Sequence, residues 1–248
     1  DRGKYEEEAV AIYKQSLAES PNDVTSLKAL AQTAQLANDP DLAIRSIEAL
    51  AHLGQLNQKL VLQLANAYMK RGITEPKAER IFREALRLEP DNPEYTSALA
   101  KVYCGQDRTE VDCIQVYENH LQNYRNDVLI GRQLAKSYIK ANRYEKALEA
   151  TKRFLEIAPE DEELQRLHAL ASLYDNKIDE AVSEYKRLLD RNSNDPDALV
   201  NLALAYGQKM RTDPEAVDCY HRALSLQPDN DLLHLALARV QIDRNDPV

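Results

Sequence analysis

The chain has 248 residues, 44% hydrophobic and 29% charged, a balance that encodes a folded protein and excludes a disordered one. No window approaches roughly 18 consecutive apolar residues, which excludes a membrane span. A net charge of −9 disfavours nucleic-acid phosphate as a general partner.

Elements follow in chain order. Alternating β-branched runs are absent and helix-period apolar stretches cover nearly everything else, so the fold class is all-α. Residues 1–23 read as a lone helix with Ala9, Tyr13 and Pro21 at the positions that recur downstream. Six blocks come next, at 24–57, 58–92, 93–127, 128–161, 162–195 and 196–230, a step of 34 or 35 residues. In each, a first helix carries Leu-Ala and then Tyr, as in "LANAY" (64–68), "LAKVY" (99–103), "LAKSY" (134–138) and "LALAY" (202–206). A polar turn leads to a second helix with a small residue, an aromatic four later and a small or apolar residue three later. Ala78, Phe82 and Ala85 are one set; Ala216, Tyr220 and Ala223 are another. Pro21, Pro90, Pro159 and Pro228 close units, because proline cannot continue a helix. Residues 231–245 repeat only a first helix, "DLLHLALARVQID", apolar around most of its circumference.

The longer units restart their second helix at Thr74-Glu-Pro, Thr109-Glu-Val and Thr212-Asp-Pro, which predicts threonine N-caps, with Glu215 at capping-box spacing from Thr212. The first block departs at Ala34 and Gln55. The fifth leaves two registers open, with either His168 in the usual Leu slot or Leu170, Ala171 and Tyr174 shifted by two.

These motifs resemble the tetratricopeptide repeat (TPR) family over essentially the whole chain: about six full repeats with a partial one at each end, forming a single array over 1–248. The resemblance implies a right-handed α-solenoid, a superhelix of antiparallel helix pairs whose first helices line a concave face. Ligand-facing offsets carried over from the family fall on Lys28, Gln32, Lys59, Gln63, Asn66, Lys70, Lys101, Arg132, Gln133, Lys136 and Lys140, with Glu94 as the one acid. Further along they fall on Arg166, Leu167, Leu170, Val200, Asn201, Leu204, Leu232, Leu235 and Arg239. The family's carboxylate clamp is largely missing: Lys28 matches, but Gln32, Gln63, Glu94 and Ala98 do not.

No phosphate loop, dinucleotide fingerprint, zinc or hydrolase motif occurs, and the five histidines are scattered. Cys113 occupies a small-residue packing slot, and three cysteines without a CxxC pair suit a reducing compartment. Nine tyrosines (13, 68, 103, 117, 138, 144, 185, 206 and 220) stand in repeat slots and are expected to pack. The expectation is a non-catalytic protein-interaction scaffold without metal or cofactor, binding an extended acidic segment, with an apolar stretch taking bulky side chains. A self-assembling array, associating through helix 231–243, and a regulatory domain of a larger protein are the alternatives. The incomplete end units suggest that the parent chain continues, and the location expected is cytoplasmic.

Overall fold

The computed structural model describes residues 2–243, with side chains from Glu8 onward; residue 1 and residues 244–248, including the end of the helix expected over 231–245, lie outside it. Among the described residues there are fourteen helices and no strand. They are α1 (Arg2–Glu19), α2 (Val24–Leu36), α3 (Pro40–His52), α4 (Gln58–Arg71), α5 (Pro76–Leu88), α6 (Pro93–Gly105) and α7 (Val111–Asn123). Then come α8 (Val128–Lys140), α9 (Tyr144–Ile157), α10 (Glu162–Tyr174), α11 (Ile178–Arg191), α12 (Pro196–Gln208), α13 (Pro214–Leu226) and α14 (Asp231–Asp243).

Local chemistry sets the boundaries. Asp23, Asp39, Asn57, Asn92, Asp127, Asp161 and Asp195 cap first or second helices, each accepting from backbone N–H groups of the first turn. The threonine caps expected at Thr74 and Thr212 are corrected. Pro76 and Pro214 take the first helical position, which their fixed φ suits, so the cap falls to the residue before each. Glu75 makes no side-chain cap bond, whereas Asp213 accepts from the Ala216 N–H at 3.3 Å. Glu215 turns away from any capping box; its carboxylate meets Lys186 at 2.7 Å and Arg211 at 3.0 Å.

Between first and second helices the chain passes through the left-handed region once per unit, at Asn38, Gly72, Asp107, Asn142, Asn176 and Met210. Asn, Asp and Gly tolerate that conformation; Met210, at φ 52°, does not.

The chain folds as two compact units. Unit 1 holds residues 1–108 and 118–123, and unit 2 holds residues 109–117 and 124–248. In unit 1, consecutive helices from α1 to α6 pack in pairs around Leu30, Ile47, Leu64, Tyr68, Phe82 and Tyr103. In unit 2, α8 to α14 do the same; there Ala181, Tyr185, Ala203, Tyr206, Ala216, Tyr220 and Ala223 form part of one buried core. Small residues let the helices approach while the aromatics fill the space between them. Seven of the nine slot tyrosines are buried, and Tyr13 and Tyr144 are half-buried. The hydroxyls stay satisfied where a partner reaches: Tyr68 donates to Glu48 at 2.6 Å, Tyr206 to Glu215 at 2.9 Å, and Tyr220 to the Arg211 carbonyl at 2.9 Å.

The fifth repeat keeps the unshifted register. Ala169 and Ser172 are buried, whereas Tyr174 stands 54% exposed, so His168 occupies the leucine slot. A compensating exchange next to it explains how. In the fourth repeat Thr151 takes the position of the second-helix aromatic, and the ring moves three residues on, to Phe154. His168 Nδ1 lies 2.8 Å from the Thr151 hydroxyl, giving the imidazole a polar partner in an apolar slot. Burial lowers its pKa below the ordinary value.

Candidate binding faces

In unit 1 the first helices α2, α4 and α6 lie side by side. The Gln63 amide donates to Gln35 across the α2–α4 seam, and Tyr95 donates to Asn66 at 3.2 Å across α4–α6. Lys28, Gln32, Lys59, Asn66, Lys70 and Lys101 are exposed and Gln63 is half-buried. Lys70 reaches back to the Asn38 side chain. Lys28, Lys59 and Lys101 make no ion pair among the described residues. These three ammonium groups are thus exposed to solvent without a carboxylate in ion-pair contact among the described residues.

The equivalent residues of unit 2 behave differently. Arg132 on α8 meets Glu163 on α10 at 2.6 Å and Asp161, the α10 cap, at 3.5 Å. Lys136 meets the other Glu163 oxygen at 2.5 Å. The Lys136 ammonium, and after it the Arg132 guanidinium, hold the Glu163 carboxyl below its ordinary range against the opposing effect of burial. One repeat later, Arg166 on α10 pairs with Asp195, the buried cap of α12. These cations tie one repeat to the next. Gln133, expected on the binding face, is buried at 8% exposure and offers no surface. Lys140 is exposed and its ammonium donates to Thr109 at 3.3 Å; Asn201 and Leu204 are half-buried.

Spacing along one helix does not reveal these ties, because the opposing acids belong to the next repeat. A signal for them exists. Arg132 precedes the cap Asp161, and Arg166 precedes the cap Asp195, by the same interval. An arginine at that fixed distance before an N-cap aspartate marks an inter-repeat pair.

Burial pushes the Cys219 thiol up to about 12, the reverse of an activated nucleophile. Among the described residues one trio, Glu110, Asp112 and Cys113, brings possible ligand atoms within 4.8 Å of one another. It joins two exposed carboxylates to a thiol in a packing slot, fewer donors than a structural metal site uses. No helix among the described residues is long and apolar enough to cross a membrane.

Stacked helix pairs that present side chains from successive first helices define a tetratricopeptide-type scaffold for protein interactions. A tetratricopeptide repeat model matches residues 166–209. More particularly, the chain belongs to the ChAPs family, the Chs5p-Arf1p-binding proteins, whose model matches residues 51–182, more than half of it. It is similar to human protein O-mannosyl-transferase TMTC1, 28% identical over 169 residues, 66% of this chain, and spans only 19% of that protein. Among solved structures it resembles YrrB, a TPR protein with an unusual peptide-binding site, at a TM-score of 0.54 and 16% identity, covering 91% of this chain and 97% of that one. It also resembles MamA from Desulfovibrio magneticus RS-1, at a TM-score of 0.51 and 18% identity over 70% of this chain and 97% of that one. At these identities the likeness to solved structures is one of fold.

Proposed function

We propose that this chain is a non-catalytic docking scaffold for protein partners of the kind its family is named for, Chs5p and Arf1p, and that unit 1 takes an extended acidic segment. The carrying observation is the exposed, unpaired set Lys28, Lys59 and Lys101, with Gln32, Gln63, Asn66 and Lys70 beside it to hydrogen-bond the segment's backbone. Like charge concentrated on one face raises association rates and selects an acidic partner more than it deepens affinity, so binding is modest and salt-sensitive. In unit 2 the acidic-segment reading keeps Lys140 and Asn201, with Leu204 taking an apolar side chain of the segment; Arg132, Lys136 and Arg166 drop out because they face carboxylates of the chain itself.

The triple variant Lys28→Glu/Lys59→Glu/Lys101→Glu tests this against a fluorescein-labelled peptide of glutamate and serine, by anisotropy at two salt concentrations. Loss of binding with unchanged helical circular dichroism supports the acidic-segment reading, and equal binding by the triple variant refutes it. A second reading, assembly through α14, rests on Leu232, Leu235 and Ile242, exposed at 64, 50 and 69%. Light scattering over a range of concentration separates it from a monomeric scaffold.

A further inference from the structure

Tyr68, Tyr103, Tyr138 and Tyr206 fill the same first-helix slot, and at two of them a polar clasp joins neighbouring second helices. Tyr68 donates to Glu48 on α3 at 2.6 Å; Lys77 on α5 meets that carboxylate at 3.0 Å and lies 5.7 Å from the ring centroid. Tyr206 donates to Glu215 on α13 at 2.9 Å; Lys186 on α11 meets that carboxylate at 2.7 Å and lies 5.9 Å from the ring centroid. A buried ring with a charge-assisted hydrogen bond at its hydroxyl thus ties each repeat to the one before.

The fifth repeat has no such clasp. Ser172 takes the slot, one repeat after Tyr138 and one before Tyr206. The positions that Glu48 and Lys77 hold around Tyr68 fall here to Lys152 on α9 and Glu180 on α11. These two are opposite in charge, yet both are exposed and neither forms an ion pair among the described residues.

The core beneath is short of hydrogen bonds as well. Ser172 is 0% exposed, and Tyr185, the second-helix aromatic of the same repeat, is 2% exposed. Neither hydroxyl has a hydrogen-bond partner. Tyr220 holds the place of Tyr185 one repeat on, and its hydroxyl donates to the Arg211 carbonyl at 2.9 Å. A buried hydroxyl without a partner gives up its hydration in the closed fold and regains it when the chain opens. Both groups therefore favour the open form of α10 and α11. In a stacked array, opening follows the local balance of each repeat and its neighbours.

We infer that α10 and α11 are a built-in opening point of unit 2, a helix pair that unfolds and recloses locally ahead of the repeats on either side. Opening uncovers Leu164, Leu173 and Leu188, all buried when the pair is closed. This device is independent of the acidic-segment reading of unit 1.

Native-state hydrogen exchange of the full chain, read by mass spectrometry at fixed pH, tests it. Amides of α10 and α11 should exchange about tenfold or more faster than those of α8 and α9 on one side and of α12 and α13 on the other. Single substitutions then identify the cause by sign. Tyr185→Phe removes a hydroxyl that has no partner and should slow exchange in α10 and α11 about fivefold. Tyr220→Phe removes one that is bonded and should speed exchange in α13 by a similar factor. Ser172→Ala, which copies Ala34 of the first repeat, should slow α10 and α11 too. Equal exchange from α8 to α13, or protection that only declines smoothly towards α14, overturns the opening point. Unchanged or faster exchange of α10 and α11 in Tyr185→Phe overturns it also, since that hydroxyl would then cost the closed fold nothing.

Discussion

Gly131→Ala separates two physical effects of opposite sign. Gly131 lies inside α8, where alanine is the better helix former by about 1 kcal/mol, so propensity alone predicts a more stable protein. A Cβ built there would meet Phe154 Cε2, Cδ2 and Cζ at 2.4, 2.5 and 2.5 Å. Carbon atoms pack comfortably at about 3.5–4.0 Å, so the ring would have to move by about 1 Å. Phe154 is 1% exposed and has no solvent to move into. Overpacking of this kind costs about 1–3 kcal/mol, and three ring atoms place it towards the upper end. After the helix gain, the expected net loss is about 1–2 kcal/mol. Urea unfolding followed by circular dichroism should show a lower midpoint with an unchanged slope. Phe154→Leu removes the ring edge, so the double variant should lose less than the two single losses summed. A Gly131→Ala protein as stable as the parent, or more so, would refute the reasoning: the ring would then have room that the packing denies it.

Two further outcomes follow from single sites. Met210→Gly should stabilise the chain by about 0.5–1 kcal/mol in the same urea assay, because it relieves a left-handed non-glycine residue at some entropic cost. Met210 is 64% exposed, so little packing is lost. His168 sets a pH dependence. Its pKa is lowered in the fold by burial, which outweighs the facing Glu180 and Glu184, with Lys177 and Lys152 adding to the lowering. The unfolded chain therefore takes up a proton first, and stability falls as pH drops through the ordinary value of 6.5, levelling once the folded group also protonates. His168→Gln should remove that component from a stability profile between pH 8 and 5, and an unchanged profile would discount it.

Period, helix pairing and fold class are all legible along the chain. Small residues, slot tyrosines and closing prolines each act within a turn or two of their own helix, where spacing along the chain equals spacing in the fold. The left-handed turn position was equally local, and Met210 is the one member whose side chain does not announce it. Which charges remain available depends instead on contacts between repeats. Lys28 and Arg132 both stand at the fifth residue of their first helices, yet Lys28 is unpaired and Arg132 faces Glu163, because the opposing residue comes from the next repeat. The register of α10 depended on partners in the same way. His168 fits the leucine slot because Thr151, on a neighbouring helix, meets it there, and Thr151 could take its place because Phe154 found room above Gly131. Burial and ion pairing depend on both surfaces of a contact, and a helix pattern describes only one of them.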